Sequence, residues 1–150
     1  MLVKFSTFSE RLVRVLKFAQ VHCRRKNLDY ITMDTLMMGI MYENWGAGSF
    51  VLKKKDMTIP PGVRAFPADE LSETLADKDA RMLDMDITPY AKRALIRATQ
   101  ISKSYKHNWV GTEHLLIALA EDDTHNLDFW WDEGNITRHE IIEEVQNMIQ

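Results

Sequence analysis

The sequence predicts an all-α fold, arranged as a pseudo-two-fold tandem repeat of a four-helix motif with seven or eight helices in total. The chain matches itself at an offset of 79 residues (88 minus 9), so Ser9–Leu52 aligns with Thr88–Trp131 without a gap. No segment shows the apolar–polar alternation of a strand. Equivalent apolar residues recur at the i, i+3, i+4, i+7 spacing of an amphipathic helix: Leu12, Val15, Leu16 and Ala19, then Ala91, Ala94, Leu95 and Ala98. Such a duplication is typical of a module with paired surface sites, and less so of an enzyme with a single cleft.

The first copy is predicted to contain three helices. Ser9 is suited to cap the first of them, because its hydroxyl can accept a free backbone N–H of the first turn. Gly46 and Gly48 are predicted to interrupt the helical pattern before the third helix. The expected helices run from the Ser9 cap to about Lys26, from near Thr32 to Met41, and over Ser49–Lys54.

The second copy is predicted to contain four helices. Thr88 and Pro89 provide a cap followed by proline at the first helical position, where the missing N–H has no partner to lose. Thr137 and Glu140 have the spacing of a capping box that opens the closing helix. The expected helices run from Thr88 to about Tyr105, over Thr112–Ala120, over Asn126–Trp131, and from Thr137 to Ile149.

The two copies diverge between Ile59 and Asp86. The prolines at 60, 61 and 67 exclude the helix that the closing helix of the second copy would predict here. A displaced helix over Ala68–Ala76 is the alternative. We interpret the chain as one domain, 1–150, because each half by itself would leave its apolar stripe uncovered. Repeat 1 covers about 8–59, an insert or linker about 60–86, and repeat 2 about 87–150.

Composition excludes several classes of function. The net charge of −3 argues against a general nucleic-acid binder. No apolar run approaches the length of a membrane span, and the first residues do not resemble a secretory signal. No GxxxxGK[ST] motif is present, so we do not expect this chain to be an ATPase. The single cysteine, Cys23, cannot form an internal disulfide and fits a reducing compartment. We expect a cytoplasmic protein that is not an enzyme and has no nucleic-acid or membrane partner.

Two pairs of histidine and cysteine side chains could suggest a metal site or a nucleophile. His22 with Cys23, and His107 with His114, lack further ligands at recognised zinc spacings, so no metal or cofactor is expected. His114 is expected to satisfy a backbone group at the start of its helix. Cys23 falls on the apolar stripe of the first helix, which indicates a core residue. A small Cys/His hydrolase is the alternative from another functional class.

Two motifs of the second copy carry a family resemblance. Thr88–Leu95 reads TPYAKRAL and His107–Leu116 reads HNWVGTEHLL. They closely resemble the Clp-N repeat, in which a TPRAK helix start precedes GHNYIGTEHLL. Phe8–Arg11 and Leu28–Leu36 form a drifted version in the first copy. The chain therefore resembles the double Clp-N domain of Clp-type (Hsp100) AAA+ unfoldases, and of the ClpC branch in particular, over roughly 8–150 except the insert.

The resemblance implies a docking platform for adaptor and substrate proteins, which passes them to Clp ATPase and protease components. In the ClpC branch each repeat also has a pocket for phosphorylated arginine. Carried over by position, the second pocket would use Thr88 and Glu113, and the first would use Ser9 and Asp34. Carboxylates accept guanidinium N–H groups, and helix starts suit a phosphoryl group. Capping and the helix dipole explain the same four residues without any ligand.

The sequence leaves three further points open. Trp130 and Trp131 beside Phe129 form an unusual aromatic cluster, interpreted as an interaction patch with one tryptophan inside and the other exposed. The chain would be either a stand-alone Clp-N-like protein or the N-terminal domain of a larger unfoldase. A structural subunit that docks on the Clp assembly without contacting substrates is the alternative to a substrate-recognition module.

Overall fold

The all-α prediction is confirmed. The computed structural model describes residues 5–57 and 86–149. Within them a short 3₁₀ helix, Phe5–Thr7, precedes seven α-helices: α1 Glu10–Arg25, α2 Met33–Glu43, α3 Ala47–Lys54, α4 Pro89–Ser104, α5 Thr112–Ala120, α6 Asp128–Glu133 and α7 Arg138–Ile149. Helices α1 to α3 belong to the first copy and α4 to α7 to the second. The predicted insert, including the alternative helix Ala68–Ala76, lies outside the described residues except for its last position.

The helix starts are capped as the sequence predicts. The hydroxyl of Ser9 accepts the backbone N–H three residues on at 3.2 Å, and that of Thr88 does the same at 3.4 Å. Glu140 N–H donates to the Thr137 hydroxyl at 3.2 Å, while Thr137 N–H donates to Glu140 Oε1 at 3.3 Å. Both halves of the predicted capping box are therefore present.

One glycine lies where the sequence did not place it. Gly46 is the N-cap of α3, but Gly48 lies inside that helix rather than interrupting it. Gly48 N–H donates to the Thr112 hydroxyl at 3.0 Å, and a Cβ on Gly48 would lie only 3.0 Å from the Thr112 carbonyl oxygen. The glycine thus lets α3 approach the start of α5 closely, which outweighs its poor helix propensity.

Two very short strands accompany the helices, although no segment of the sequence shows the alternation of a strand. Strands β1, Tyr30–Ile31, and β2, Asp86–Ile87, pair in parallel, and Phe8 forms an isolated parallel bridge with Val110. Each strand has only two residues. A two-residue strand is too short to produce a detectable alternation, so the sequence pattern could not reveal it.

These pairings connect the two halves reciprocally. Ser9 N–H donates to the Val110 carbonyl at 2.9 Å, and Thr88 N–H donates to the Ile31 carbonyl at 2.9 Å. Thr88 is the equivalent of Ser9 (88 minus 9 is 79), and Val110 is the equivalent of Ile31 (110 minus 31 is 79). The second bond is therefore the first with the halves exchanged, as a pseudo-two-fold axis requires.

The turn after the first helix of each copy is also held in the same way. The Cys23 thiol donates to the Tyr30 carbonyl at 3.2 Å, and the Ser102 hydroxyl donates to the Trp109 carbonyl at 2.8 Å. Each donor and each acceptor is again separated from its equivalent by 79 residues. A thiol and a hydroxyl thus perform one structural role, because both can donate to a carbonyl from a small buried side chain.

No helix in the two described ranges is long and apolar enough to cross a membrane.

One hydrophobic core spans both halves. The largest fully buried side chains include residues from each copy: Leu12, Leu16, Phe18, Leu36, Met37, Met38, Leu52, Leu95, Leu115 and Trp130. Burial of a shared apolar core is the main favourable contribution to folding, so the halves stabilise each other.

The helix pairs that open the two halves pack with different side-chain sizes. Gly39 of α2 faces α1 so closely that a Cβ would lie 2.4 Å from the Val15 carbonyl oxygen and 2.9 Å from Val15 Cγ1. The equivalent residues in the second half are Ala94 and Ala118. A large residue opposite glycine in one half is thus replaced by two small residues in the other.

We therefore expect Gly39→Ala to lower the free energy of unfolding by about 1–3 kcal/mol, because a backbone carbonyl cannot yield without separating α1 from α2. The matched change in the other half, Ala118→Gly, is expected to cost only about 1 kcal/mol of helix propensity. Urea unfolding with an unchanged m-value would measure both effects. A Gly39→Ala variant as stable as the parent protein would contradict the close approach of these helices.

Candidate functional site

A cleft of about 580 Å³ opens where the two halves meet. Its lining combines the start of α1 with the start of α5: Phe8, Ser9, Glu10 and Arg11 from the first copy, and Trp109, Gly111, Thr112 and Glu113 from the second, with Ala47 between them. The bond from Ser9 N–H to Val110 holds these two helix starts side by side. The cleft therefore results from the backbone pairing between the two halves.

The structure brings the predicted site residues together across the halves, not within them. Ser9 and Glu113 both line the cleft. The Thr88 N–H is instead hydrogen-bonded to the carbonyl of Ile31, which lies three residues before Asp34. The expected pairs, Ser9 with Asp34 and Thr88 with Glu113, are thus exchanged. Helix α1 has 16 residues and rises about 24 Å, so it separates Ser9 from the Asp34 that follows its far end.

Glu113 lies at the N-terminus of α5 and its side chain is 24% exposed. Its carboxylate folds back over Gly111, where a Cβ would lie only 1.9 Å from Oε1. Burial raises the pKa of Glu113, although a hydrogen bond from its own backbone N–H opposes the shift. Gly111 therefore provides the space that the carboxylate occupies.

The wall formed by the start of α1 contains one cationic side chain, Arg11, next to the Glu10 carboxylate. The Arg11 guanidinium is half-exposed and donates to Glu43 Oε1 at 3.0 Å. The Glu43 carboxylate is fully buried, and its other oxygen accepts Gly46 N–H at 2.7 Å. This partner fixes Arg11 beside Ser9 and the positive end of the α1 dipole. The cleft thus presents the Glu113 carboxylate on one side and, on the other, the ion-paired Arg11 guanidinium, the Glu10 carboxylate and the N-terminus of α1.

A pair of histidines holds the start of α5. His114 Nδ1 accepts Gly111 N–H at 2.8 Å, which confirms its predicted role. The proton of His114 is therefore on Nε2, which lies 2.8 Å from His107 Nδ1. Burial, and then the nearby His107, lowers the pKa of His114 to about 4. The described residues contain no group of three or more potential metal ligands.

The predicted tryptophan patch is wrong. Trp130 is 1% exposed and Trp131 is 5% exposed, so neither can serve as a surface contact. Both side chains face the core, and Trp130 Nε1 donates to Asp34 Oδ1 at 2.5 Å. The exposed aromatic side chain that lines the cleft is instead Trp109, which is 59% exposed. Its position two residues before the GTEH motif was the signal that could have identified it.

Cys23 cannot act as the proposed nucleophile. Its side chain is fully buried, and its thiol donates to the Tyr30 carbonyl. Burial raises the pKa of the thiol, which disfavours the reactive thiolate. The hydrolase alternative therefore loses the group on which it depends.

Comparison with known proteins identifies the fold and the family. The family model described as the Clp repeat (R) N-terminal domain matches residues 65–130. The N-terminal domain of the chaperone ClpD from Arabidopsis thaliana superposes with a TM-score of 0.68, over 97% of this chain and 96% of that chain, at 14% identity. This chain carries a Clp N-terminal domain. The Hsp104 N-terminal domain from Candida albicans shares the fold, with a TM-score of 0.63 at 13% identity over 92% of this chain and 88% of that chain.

Longer relatives show how much of a protein the Clp N-terminal domain represents. The ClpA homolog of Trieres chinensis, an ATP-binding subunit of a Clp protease, is 30% identical over 120 residues, or 79% of this chain. The chloroplastic chaperone protein ClpC1 of Oryza sativa subsp. japonica is 27% identical over the same length. The chain spans 13% of the first relative and 12% of the second.

The pKa of His114 predicts an acid-sensitive stability. Between its ordinary value of 6.5 and its folded value of about 4, the unfolded chain binds a proton that the folded chain does not. The free energy of unfolding should therefore fall as the pH drops through this window, by at most about 3 kcal/mol. Urea unfolding at a series of pH values measures the slope.

His114→Thr is the matched control, because Thr35 occupies the equivalent position and its hydroxyl accepts Thr32 N–H at 2.8 Å. The variant keeps a cap but has nothing to titrate, so the slope between pH 6.5 and 4 should flatten. Equal slopes in the two proteins would show that His114 is not held neutral.

Proposed function

We propose that this Clp N-terminal domain is a non-catalytic recognition module of a Clp protease system, which binds adaptor or substrate proteins in the cleft between its halves. The observation that carries the proposal is that Glu113 and the start of α1 face the same cleft. Two exposed tryptophans, Trp109 in the cleft and Trp45, offer the kind of side chain that is enriched in protein interfaces. The Clp ATP-binding subunits among its relatives make Clp ATPase and protease components the expected partners.

The ligand that best matches this cleft is an arginine side chain carrying a phosphoryl group. A guanidinium presents two parallel N–H groups that fit the Glu113 carboxylate. The phosphoryl group would face Arg11, the Ser9 hydroxyl and the N-terminus of α1, which all favour an anion. The Glu113 carboxylate on one wall, and Arg11 with the N-terminus of α1 on the other, thus suit a ligand that is cationic at one end and anionic at the other.

We expect Glu113→Gln to weaken the binding of a phosphoarginine peptide by about tenfold or more, because the charge-assisted pair with the guanidinium is lost. Glu133→Gln removes the same charge from an exposed position outside the cleft and serves as the control. Titration calorimetry gives both affinities. Unchanged binding of adaptor, substrate and peptide by Glu113→Gln would favour a structural subunit that contacts no substrate.

Gly111→Ala tests whether the position of the carboxylate matters, with its charge retained. The added Cβ would occupy the place of Glu113 Oε1 and force the carboxylate to move. The backbone at this residue has φ −107°, which alanine adopts without strain. We expect binding to weaken by about three- to tenfold with little change in stability. Wild-type affinity in Gly111→Ala would rule out a role for the observed carboxylate position.

A further inference from the structure

The two halves differ at the acidic residue that opens the second helix of each copy. Asp34 opens α2 and Glu113 opens α5 at equivalent positions (113 minus 34 is 79). Trp130 Nε1 donates to Asp34 Oδ1 at 2.5 Å. The equivalent of Trp130 in the first copy is Val51 (130 minus 79), an apolar residue with no side-chain N–H. Asp34 therefore accepts an indole N–H that has no counterpart at Glu113, whose carboxylate accepts its own backbone N–H instead.

The indole affects how Asp34 can bind an arginine. A bidentate guanidinium needs both oxygens of a carboxylate, so at Asp34 it would have to share Oδ1 with the indole N–H. Trp130 is 1% exposed, so releasing this bond would leave a buried N–H without an acceptor. Asp34 itself is exposed to solvent. Competition from the indole N–H for this oxygen, and not burial, is thus what distinguishes the Asp34 site.

The residue two positions before each carboxylate adds to the difference. Gly111 leaves room for the Glu113 carboxylate to fold back over the start of α5. The equivalent residue in the first copy is Thr32, whose hydroxyl caps α2 by accepting Thr35 N–H at 3.1 Å. The shorter Asp34 side chain extends from this capped start to the indole. The two helix starts are equivalent, but the Asp34 carboxylate accepts the Trp130 indole N–H whereas the Glu113 carboxylate lies over Gly111.

We propose that Trp130 disables the Asp34–Thr88 site by acting as a built-in N–H donor, so that the domain binds one ligand where its pseudo-symmetry would allow two. This inference rests on the proposed function of the Ser9–Glu113 cleft. Trp130 is a specificity-determining residue in this view, because its indole nitrogen takes the place of one guanidinium N–H. The Ser9–Glu113 cleft remains as the single binding site.

Calorimetric titration of the full chain with free phosphoarginine tests the stoichiometry. We expect one site per chain, lost in Glu113→Gln and retained in Asp34→Asn with an affinity within about twofold of wild type. Two sites in the wild-type protein would overturn the proposal. Loss of the single site in Asp34→Asn would overturn it as well.

Trp130→Phe removes the indole N–H and retains an aromatic ring in the core. We expect this variant to gain a second, weaker site, which disappears again in Trp130→Phe/Asp34→Asn. A stoichiometry that stays at one in a Trp130→Phe protein with wild-type helical content would overturn the proposal. If Trp130→Phe does not fold, the Asp34→Asn titration and the next measurement still decide.

The indole N–H resonance of Trp130 tests the donor role without any ligand. We expect Asp34→Asn to shift this resonance and to speed its exchange with solvent, while Glu113→Gln leaves both unchanged. An indole resonance unaffected by Asp34→Asn would overturn the proposal. If phosphoarginine binds neither site although the resonance shifts, the proposed function fails and the donor role of Trp130 is supported.

Discussion

Two backbone hydrogen bonds between the halves organise this domain. Ser9 N–H bonds to Val110, and Thr88 N–H bonds to Ile31, so the start of each first helix is held by the other half. Together with Val110 N–H, which donates to the Thr7 carbonyl at 2.8 Å, the Ser9 bond holds the two helix starts of the cleft side by side. Burial of a shared core supplies stability, but these directional bonds set the relative register of the halves.

Different side chains make the same hydrogen bonds at equivalent positions of the two halves. Cys23 and Ser102 donate to equivalent carbonyls, one through a thiol and the other through a hydroxyl. Thr35 and His114 both accept the N–H of the residue three positions before them. In each case the backbone geometry is retained because the hydrogen-bonding role is retained, although size, burial and pKa differ. Function can therefore diverge between the halves while the fold does not.

The sequence predicted what depends on local interactions. Caps such as Ser9 and Thr88 act within one turn, so the helix starts were placed correctly. The pairing of site residues was predicted wrongly because it depends on contacts between halves, although the length of α1 already excluded a pair at both of its ends. The sequence predicted one of Trp130 and Trp131 to be buried, but the six-residue α6 is too short for a helical period to show that both are.

The reciprocal pairing of the halves has a consequence for how such a domain can change. A homodimer of one repeat could form the same two bonds, but every substitution would then appear in both binding sites, because identical subunits are related by exact symmetry. Joining the repeats covalently makes the pairing independent of protein concentration and releases this restriction. In this chain a tryptophan in one repeat and a valine in the other, Trp130 and Val51, show the freedom that the tandem arrangement allows.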